Sequence, residues 1–207
     1  MPSGTATFIE LARRRQIVEA AIDTISDVGL SRASIAAIAS RASVSPALIS
    51  YHFGSRQGLV DAVLATIQAG VDAAMEATEE DESYPAALEG MLRRFALHCL
   101  DHLPAMMVLT QFRQRDGVGA EQAEEGRAAG LSELVGFIEE GQRYGQFRQI
   151  DTPMCAAIIL NAMSDLPYEM HRRAVADRAH FVREWPLLFV KAISSDDGAI
   201  ATGEDTP

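Results

Sequence analysis

Residues 34–56 read SIAAIASRASVSPALISYHFGSR, and this stretch decides the fold predicted for the chain. Ile35, Ile38 and Ala39 lie at i, i+3 and i+4, which is the spacing of one apolar stripe on a helix. The hydroxyl of Ser34 precedes that stripe and can accept a hydrogen bond from a free amide of the first turn. The sequence therefore predicts a short helix that begins after Ser34 and ends near Ala42, followed by a tight connection through Ser43 and Val44.

A second helix is predicted after a short connection. Ser45 is a natural N-cap, and Pro46 fits the first helical position because an N–H there would have no partner in the helix. Only residues 47–51 remain before the pattern breaks at 52–54. Two short helices joined by so short a turn predict a helix-turn-helix, whose second helix enters the major groove of DNA.

The second helix displays side chains that suit a DNA surface. Hydroxyl and imidazole groups can hydrogen-bond phosphates or base edges, and a small methyl side chain can approach a thymine methyl. The residues concerned are Ser45, Ala47, Ser50, Tyr51 and His52. The alternative for Tyr51 and Phe53 is a place in the core. We assign Phe53 to the core with Val44 and Leu48, and we place Tyr51 and His52 on the surface because those three fill the core positions.

A third helix is predicted to begin at Arg56, with Ser55 as its N-cap. A helix amino terminus attracts anions, and the Arg56 guanidinium adds a fixed positive charge there. Leu59 and Val63 begin an apolar stripe on a helix that we expect to continue to about Thr78. Such a helix is long enough to link the DNA-binding region to the remainder of the chain.

The stretch from Arg14 to Leu64 resembles the DNA-binding domain of TetR-type (tetracycline-repressor-like) transcriptional regulators. The residues that carry the resemblance are Arg14, Ile17, Ala20, Ala21, Gly29, Ile38, Ala39, Val44, Ser45, Tyr51, Phe53, Ser55, Arg56 and Leu59. The resemblance implies phosphate contacts from Ser34, Tyr51, His52 and Arg56. It implies base contacts from Ser45, Ala47 and Ser50.

Three positions depart from the family pattern. Arg56 stands where Lys is usual and keeps the charge, and Ser43 stands where Gly is common. Gly58 replaces an acidic residue, so a capping box opened by Ser55 has no carboxylate partner. The helix-turn-helix is also similar to that of the choline-responsive branch of these repressors. The rest of the chain does not follow that branch, so the sequence predicts no particular ligand.

Charge is unevenly distributed along the 207 residues. Residues 1–56 hold six arginines and four carboxylates, a net +2, so with −11 for the whole chain the remainder carries −13. Affinity for duplex DNA depends largely on phosphate neutralisation, so such a chain suits binding through one end. Cys99 and Cys155 lie in apolar helical surroundings, and the sequence shows neither a signal-like amino terminus nor an apolar run approaching 18 residues. We therefore expect a cytoplasmic protein with reduced thiols and no membrane partner.

The predicted fold class is all-α. An N-terminal three-helix helix-turn-helix domain at 1–56 precedes a larger helical-bundle domain for effector binding and dimerisation at 57–195. Helices are expected at 8–28, 85–102, 104–116 and 121–144, and from Thr152 as N-cap with Pro153 next. A loose arm at 1–7 and loops at 79–83 and 117–119 are expected, and the acidic tail at 196–207 is predicted to be disordered.

Two helices near the carboxyl end are apolar on nearly every face, at residues 154–163 and 181–193. A helix that is apolar all round must be covered on all sides. In a chain of this length a second copy is the readiest cover, and a two-fold dimer is the commonest arrangement. The alternative is that both are core helices of a single chain. The predicted dimer interface comprises Ile158, Ala162, Trp185, Leu188 and Phe189.

A small-molecule pocket is implied mainly by the family and partly by composition. Methionine and aromatic side chains supply adaptable apolar walls, and a few polar groups can orient a ligand. For each residue a structural or surface role is the alternative, and a kink at Pro167 is expected to open space for a ligand. The predicted ligand-binding residues are His98, His102, Met107, Gln111, Phe112, Asn161, Asp165 and Tyr168.

Catalytic and metal-binding signals are weak. His98 and His102 are four residues apart on one helix face, a spacing that can bind a metal, but no convincing third ligand stands near them in the sequence. Partly buried helix histidines are the commoner case. Gly-rich phosphate loops, HExxH and GxSxG do not occur in the sequence. We therefore expect no metal, no cofactor and no enzyme.

The function predicted from the sequence is that of a homodimeric transcriptional regulator, a repressor released from DNA by an effector. Its expected partners are double-stranded operator DNA, a second copy of the chain and an unknown small molecule. One alternative is a ligand-independent DNA-binding regulator or activator. The other is an enzyme that uses the helical body.

Overall fold

The computed structural model describes residues 8–76, 83–113 and 120–195. Within these residues the chain forms nine α-helices: α1 Phe8–Val28, α2 Ile35–Arg41, α3 Pro46–Phe53, α4 Arg56–Met75, α5 Tyr84–Asp101, α6 Leu103–Arg113, α7 Ala120–Arg143, α8 Thr152–Arg172 and α9 Val175–Ile193. The predicted all-α fold class is confirmed. The arm at 1–7, most of the loop at 79–83, the loop at 117–119 and the tail at 196–207 lie outside the described residues.

The chain divides into two compact units. The head unit comprises residues 1–73 and 102–120, and the body unit comprises residues 74–101 and 121–207. α6 thus belongs to the head unit, where it packs against α1. The predicted boundary at 56 differs from this division because Leu59, Val60 and Val63 of α4 are buried in the head unit. The functions assigned to the two predicted domains stay predictions.

The helix-turn-helix begins its two helices where the sequence predicts. The Ser34 hydroxyl accepts a hydrogen bond from the Ala37 amide at 3.1 Å, and the Ser45 hydroxyl accepts one from the Leu48 amide at 3.2 Å. α3 extends beyond the predicted end at residue 51 and is closed by Gly54, whose φ is 72°. That left-handed conformation favours glycine, so α3 ends just before Gly54, slightly later than the sequence predicts.

The core of the helix-turn-helix differs from the prediction at three residues, and only Phe53 of the predicted set is buried. Ile49 is only 1% exposed and Phe53 is also buried, whereas Val44 and Leu48 are half-buried. Residues 49 and 53 are four apart, so they lie on the same face of α3 and form its inner side. Ile49, which the sequence analysis did not assign to the core, is therefore the main apolar anchor of this helix.

The composition of α4 differs from the expectation that the chain has no apolar run approaching 18 residues. By length and composition alone it could cross a membrane, with a mean hydropathy of 1.3 over 18 residues, although no such run was expected. Four residues along one face, however, are buried in the head unit: Leu59, Val60, Val63 and Ile67. Only 22% of that 18-residue stretch is buried, so α4 packs on the core along one face.

In the body unit, α5 packs against both α8 and α9. The Tyr84 amide donates to Gln146 Oε1 at 2.7 Å and the Ser195 amide donates to the Gln146 carbonyl at 3.1 Å. The beginning of α5 and the end of α9 therefore meet at Gln146, so the two helices run antiparallel.

The start of α8 corrects a predicted cap. Asp151, not Thr152, is the N-cap, because its carboxylate accepts the Met154 amide at 2.8 Å. Thr152 is buried as the first helical residue and bonds Glu139. Pro167 is buried inside α8, which continues to Arg172. The space that was expected to open at Pro167 is therefore filled by packing.

Candidate nucleic-acid interface

α3 presents a polar face to solvent and an apolar face to the head unit. Ala47, Ser50 and Tyr51 are exposed, and the Tyr51 side chain is 73% exposed. His52 is half-buried, with its ring 5.2 Å from the Tyr51 ring in an edge-on arrangement. The exposed set can reach a partner surface without disturbing the core formed by Ile49.

The serine hydroxyls of this surface keep hydrogen-bonding capacity. Ser34 and Ser45 each use an oxygen lone pair to cap a helix, which leaves the O–H free to donate to a phosphate. The Ser50 hydroxyl donates to the Pro46 carbonyl at 3.3 Å and can accept from a partner. All three serines are exposed. Capping and contact with DNA are therefore compatible roles.

Arg56 is held more firmly than the sequence suggests. Its Nη2 donates to the carbonyls of Leu30 at 2.8 Å and Ala33 at 3.2 Å. The residue is nevertheless exposed, and a guanidinium has five N–H donors in a fixed fork. Nη1 and Nε are left for an anion, so the predicted phosphate contact would come from a pre-positioned group.

Arg14 supports α3 in a way that the sequence analysis missed. Its Nη1 donates to the His52 carbonyl at 2.7 Å, and its Cζ lies 4.4 Å from the centre of the Phe53 ring. The guanidinium thus satisfies a carbonyl at the end of α3 and stacks on a core aromatic. The two partners are 38 residues apart. No local pattern could have revealed this contact, although the resemblance did include Arg14.

The other arginines of residues 1–56 also have protein partners. Arg15 lies 3.9 Å from Glu19 and Arg41 pairs with Asp27, so two of the six charges face carboxylates. Arg13 donates to Gln16 Oε1 at 2.8 Å, and Arg32 donates to the Val28 carbonyl at 2.7 Å. The described residues 8–56 therefore offer hydroxyl, backbone and anchored guanidinium groups.

The predicted ligand-binding residues are divided between the two units. His102, Met107, Gln111 and Phe112 belong to the head unit, and His98, Asn161, Asp165 and Tyr168 belong to the body unit. The contacts of Gln111, Asn161 and Tyr168 bear on their predicted role. Gln111 Oε1 accepts the Leu30 amide at 3.3 Å, Asn161 Oδ1 accepts Arg127 Nη2 at 2.8 Å, and Arg172 Cζ lies 5.6 Å from the Tyr168 ring. The first two polar groups are therefore already engaged, and the set is not assembled within one unit.

The predicted dimer residues also separate into two groups. Ile158 is 53% exposed and Leu188 is 66% exposed, while Ala162 and Phe189 are half-buried. Trp185 is only 6% exposed and its ring packs edge-on against Phe189 at 5.2 Å. Its surface is already covered by its own chain, so we remove Trp185 from the predicted interface.

No metal-binding group is found among the residues that the structure describes, where no three His, Cys, Asp or Glu side chains are suitably clustered. Cys99 and Cys155 are not joined in a disulfide. Burial raises the pKa of the Cys155 thiol, and the charge of Arg148 only partly opposes this effect. Cys155 is therefore protonated at neutral pH and is a poor nucleophile.

A cavity in the head unit, of about 10 Å³ and lined by Ile25, Leu59 and other apolar residues, has room for about one water molecule.

Comparison with known proteins supports the DNA-facing interpretation of the head unit. The family described as bacterial regulatory proteins, tetR family, matches residues 17–63. The HTH-type transcriptional regulator BetI 1 of Chromohalobacter salexigens is 49% identical over 55 residues, which are 27% of this chain and 27% of that protein. The chain thus matches about a quarter of the length of this curated relative.

Two solved structures are similar over most of the chain. A bacterial regulatory protein in the tetR family from Rhodococcus RHA1 has 18% identity and a TM-score of 0.76, covering 89% of this chain and 98% of that one. The ketosteroid transcriptional regulator KstR2 of Mycobacterium tuberculosis has 16% identity and a TM-score of 0.71, covering 89% and 96%. At identities this low the likeness establishes the fold alone.

Proposed function

We propose that this chain, whose residues 17–63 are a tetR-family domain and whose fold is that of solved tetR-family proteins, is a homodimeric transcriptional repressor that an effector releases from DNA. The family resemblance stated from the sequence is confirmed. The family is one of regulatory proteins, which gives no support to the alternative of an enzyme. We infer a cytoplasmic location from the proposed DNA partner.

The exposed face of α3 carries the proposal. Ala47, Ser50 and Tyr51 point away from a core anchored by Ile49, so α3 can lie in a major groove without unfolding. Small and hydroxyl side chains allow close approach of the helix to base edges and phosphates. Arg56, held by two carbonyls, adds a charge whose position is fixed before DNA binds.

Two copies are needed to read two half-sites. In dimeric helix-turn-helix proteins the recognition helices contact half-sites about one turn of DNA, or ~34 Å, apart. Among the described residues of the body unit, Ile158 on α8 and Leu188 on α9 are large apolar side chains left exposed. We assign both to the dimer interface, together with the half-buried Ala162, four residues after Ile158, and Phe189, next to Leu188.

Release from DNA requires an effector that prefers one conformation of the dimer. Such a ligand lowers DNA affinity by the ratio of its affinities for the two conformations. α4 begins in the head unit, and its last residues belong to the body unit, so it is a candidate for transmitting the change. The effector residues remaining in the proposal are His98, His102, Met107, Phe112, Asp165 and Tyr168. Without an effector, the same geometry gives a ligand-independent regulator.

Tyr51→Ala tests the DNA-binding face. The probe is a duplex enriched by the wild-type protein from a random-sequence library. We expect about 30-fold weaker binding or more, because each of two half-sites loses about 1 kcal/mol. Tyr144→Ala is the matched control, because Tyr144 is also a highly exposed tyrosine, 67% against 73% for Tyr51, but lies in the body unit.

Two results would overturn the proposal. One is a Tyr51→Ala protein that binds the selected duplex as tightly as the wild-type protein. The other is a wild-type protein that enriches no duplex, even at low salt, where phosphate contacts are strongest. Tyr51→Phe separates the hydroxyl from the ring, since a phosphate contact through the hydroxyl predicts weaker binding by this variant too.

A further inference from the structure

The connection between α1 and α2 is held by side chains from two other helices. Leu30 is buried in this connection, and its amide donates to Gln111 Oε1 of α6 at 3.3 Å. On the other side of the same residue, the Leu30 carbonyl accepts Arg56 Nη2 of α4 at 2.8 Å. Arg56 also binds the Ala33 carbonyl at 3.2 Å. Both polar groups of Leu30 are thus satisfied by side chains rather than by a helix.

The position of Leu30 determines where α2 begins. Gly29, with φ of 81°, ends α1 and turns the chain, and its carbonyl accepts the amides of Arg32 and Ala33 at 3.1 Å. Ser34 follows at once and caps α2 through the Ala37 amide. The connection is short and its backbone is hydrogen-bonded, so it contains no long segment that could absorb a displacement of Leu30. A shift of Leu30 is therefore passed on to Ser34.

Gln111 reaches this connection from α6, which lies in sequence between the two segments of the body unit. α5 ends at Asp101 and α6 begins at Leu103, with only His102 between them. α6 packs against α1 within the head unit. The side-chain carbonyl of Gln111 thus joins α6 to a backbone amide of the connection.

We infer that Gln111 is a positioning residue for DNA binding: through Leu30 it fixes the place of Ser34 and of the first turn of α2. The inference rests on the proposed function, because it concerns the affinity of that same DNA-binding surface. Gln111 itself does not touch DNA in this scheme. It supplies the acceptor that holds the backbone in the arrangement that binds.

The test compares two substitutions at one position. Gln111→Met keeps the length and shape of the side chain but removes the hydrogen-bond acceptor. Gln111→Glu keeps an acceptor, a carboxylate oxygen, within reach of the Leu30 amide. We expect Gln111→Met to bind the selected duplex about five- to tenfold more weakly than the wild-type protein, the effect of one lost hydrogen bond in each half of a dimer. Gln111→Glu should bind at least threefold more tightly than Gln111→Met.

Hydrogen exchange in the free protein separates positioning from general loss of stability. In Gln111→Met the amides of Leu30 and Ala37 should exchange faster, while those of α3 keep the wild-type rates. Thr110→Val is the control, because the Thr110 hydroxyl bonds only the Met106 carbonyl of its own helix, at 3.0 Å. This variant should leave both DNA affinity and exchange at Leu30 within twofold of wild type.

Each arm has an outcome that overturns the inference. Unchanged DNA affinity in Gln111→Met does so, as does a Gln111→Glu protein no tighter than Gln111→Met. Equal acceleration of exchange throughout the head unit identifies Gln111 as a general stabilising residue instead. Failure of the proposed function looks different, since the wild-type protein would then bind no duplex while the exchange arm still reports whether Gln111 holds Leu30.

Discussion

Three helix starts of the head unit and the junction of α5 with α9 in the body unit are fixed by contacts of different range. In the head unit, Ser34, Ser45 and Ser55 each accept an amide three residues further on, so each helix start is specified within one turn. In the body unit, Gln146 bonds Tyr84, which is 62 residues away in sequence. Short-range contacts leave a pattern that can be read from the chain, and long-range contacts do not.

The packing of the body unit shows the same difference. The rings of Tyr84, Phe137 and Phe147 lie with their centres between 5.3 and 6.3 Å apart. Gly141 faces this cluster, and a Cβ added there would lie 2.3 Å from Phe147 Cδ2. The body unit therefore contains one close approach between α7 and a ring, a contact that no helix-capping pattern reveals.

The largest loss of DNA affinity is expected from changes in the body unit that separate the two copies of the dimer. Leu188→Glu combined with Ile158→Glu places charges on the two exposed apolar positions and should convert the dimer into a monomer. Loss of the second half-site then weakens binding to the selected duplex by about 100-fold or more, because the two heads no longer bind as one ligand. Light scattering gives the mass and titration of a labelled duplex gives the affinity.

Leu97→Glu is the control for that double variant. Leu97 is another exposed leucine of the body unit, on α5, and no role in the interface is assigned to it. The charge there should leave both mass and affinity unchanged. A double variant that keeps the dimer mass would show that the contact between copies lies elsewhere.

The next largest effect is expected in the small core of the head unit. Ile49→Ala should lower the free energy of unfolding of the head unit by about 2–5 kcal/mol, since Ile49 is fully buried and the cavity left behind adds to the lost burial. Hydrogen exchange of the α3 amides measures this loss. Leu48→Ala, at a half-buried position, should cost clearly less. Equal losses would contradict the assignment of Ile49 as the anchor of α3.

The sequence predicted the elements of this molecule better than their contacts. The start of α1 and its end at Gly29 were read directly from residue types, and so were the caps Ser34 and Ser45. Asp151 was missed in favour of Thr152 because both are good caps and only the backbone conformation distinguishes them. The position of a cap therefore depends on the backbone conformation as well as on the residue type.

The candidate site shows the same limit. The residues proposed to touch DNA follow from one contiguous stretch, and exposure of Tyr51 agrees with that interpretation. The partners that hold the stretch come from distant parts of the chain: Arg14 bonds His52, and Gln111 bonds Leu30 across 81 residues. Periodicity carries no information about such pairs, because it describes one helix at a time.

A smaller effect is expected from one methyl group in the body unit. Gly141→Ala should lower the free energy of unfolding by about 1–3 kcal/mol, because the new Cβ overlaps the Phe147 ring. Fluorescence of Trp185, the single tryptophan, follows unfolding of the body unit in urea. Gly136→Ala on the same helix is the control, since a Cβ there meets nothing within 4 Å.

Gly136→Ala should raise stability by about 0.5–1 kcal/mol, because alanine favours the helix and has fewer unfolded conformations than glycine. Opposite signs for two glycines of α7 would identify ring packing as the cause. The double variant Gly141→Ala with Phe147→Leu should lose less than the two single changes together, because the smaller side chain makes room for the methyl group. Two variants that both stabilise would contradict the close approach.

The smallest effect is expected at the turn between α2 and α3. α2 ends with the Val44 amide bonded to the Ala39 carbonyl at 2.9 Å and the Ser43 amide bonded to the Ser40 carbonyl at 3.2 Å. This pair of bonds is the Schellman arrangement, which requires a left-handed residue between helix and turn. Ser43 fills that place with φ of 52° and is the one non-glycine residue of the described chain with a positive φ.

Ser43→Gly should therefore raise the stability of the head unit by about 0.5 kcal/mol. Relief of the left-handed strain, about 1 kcal/mol, exceeds the entropy that glycine gains in the unfolded chain by only a small margin. Hydrogen exchange of the α2 and α3 amides measures the difference, and Ser43→Ala, which keeps the strain, is the control. A Ser43→Gly protein no more stable than Ser43→Ala would show that backbone strain at residue 43 does not lower the stability of the head unit.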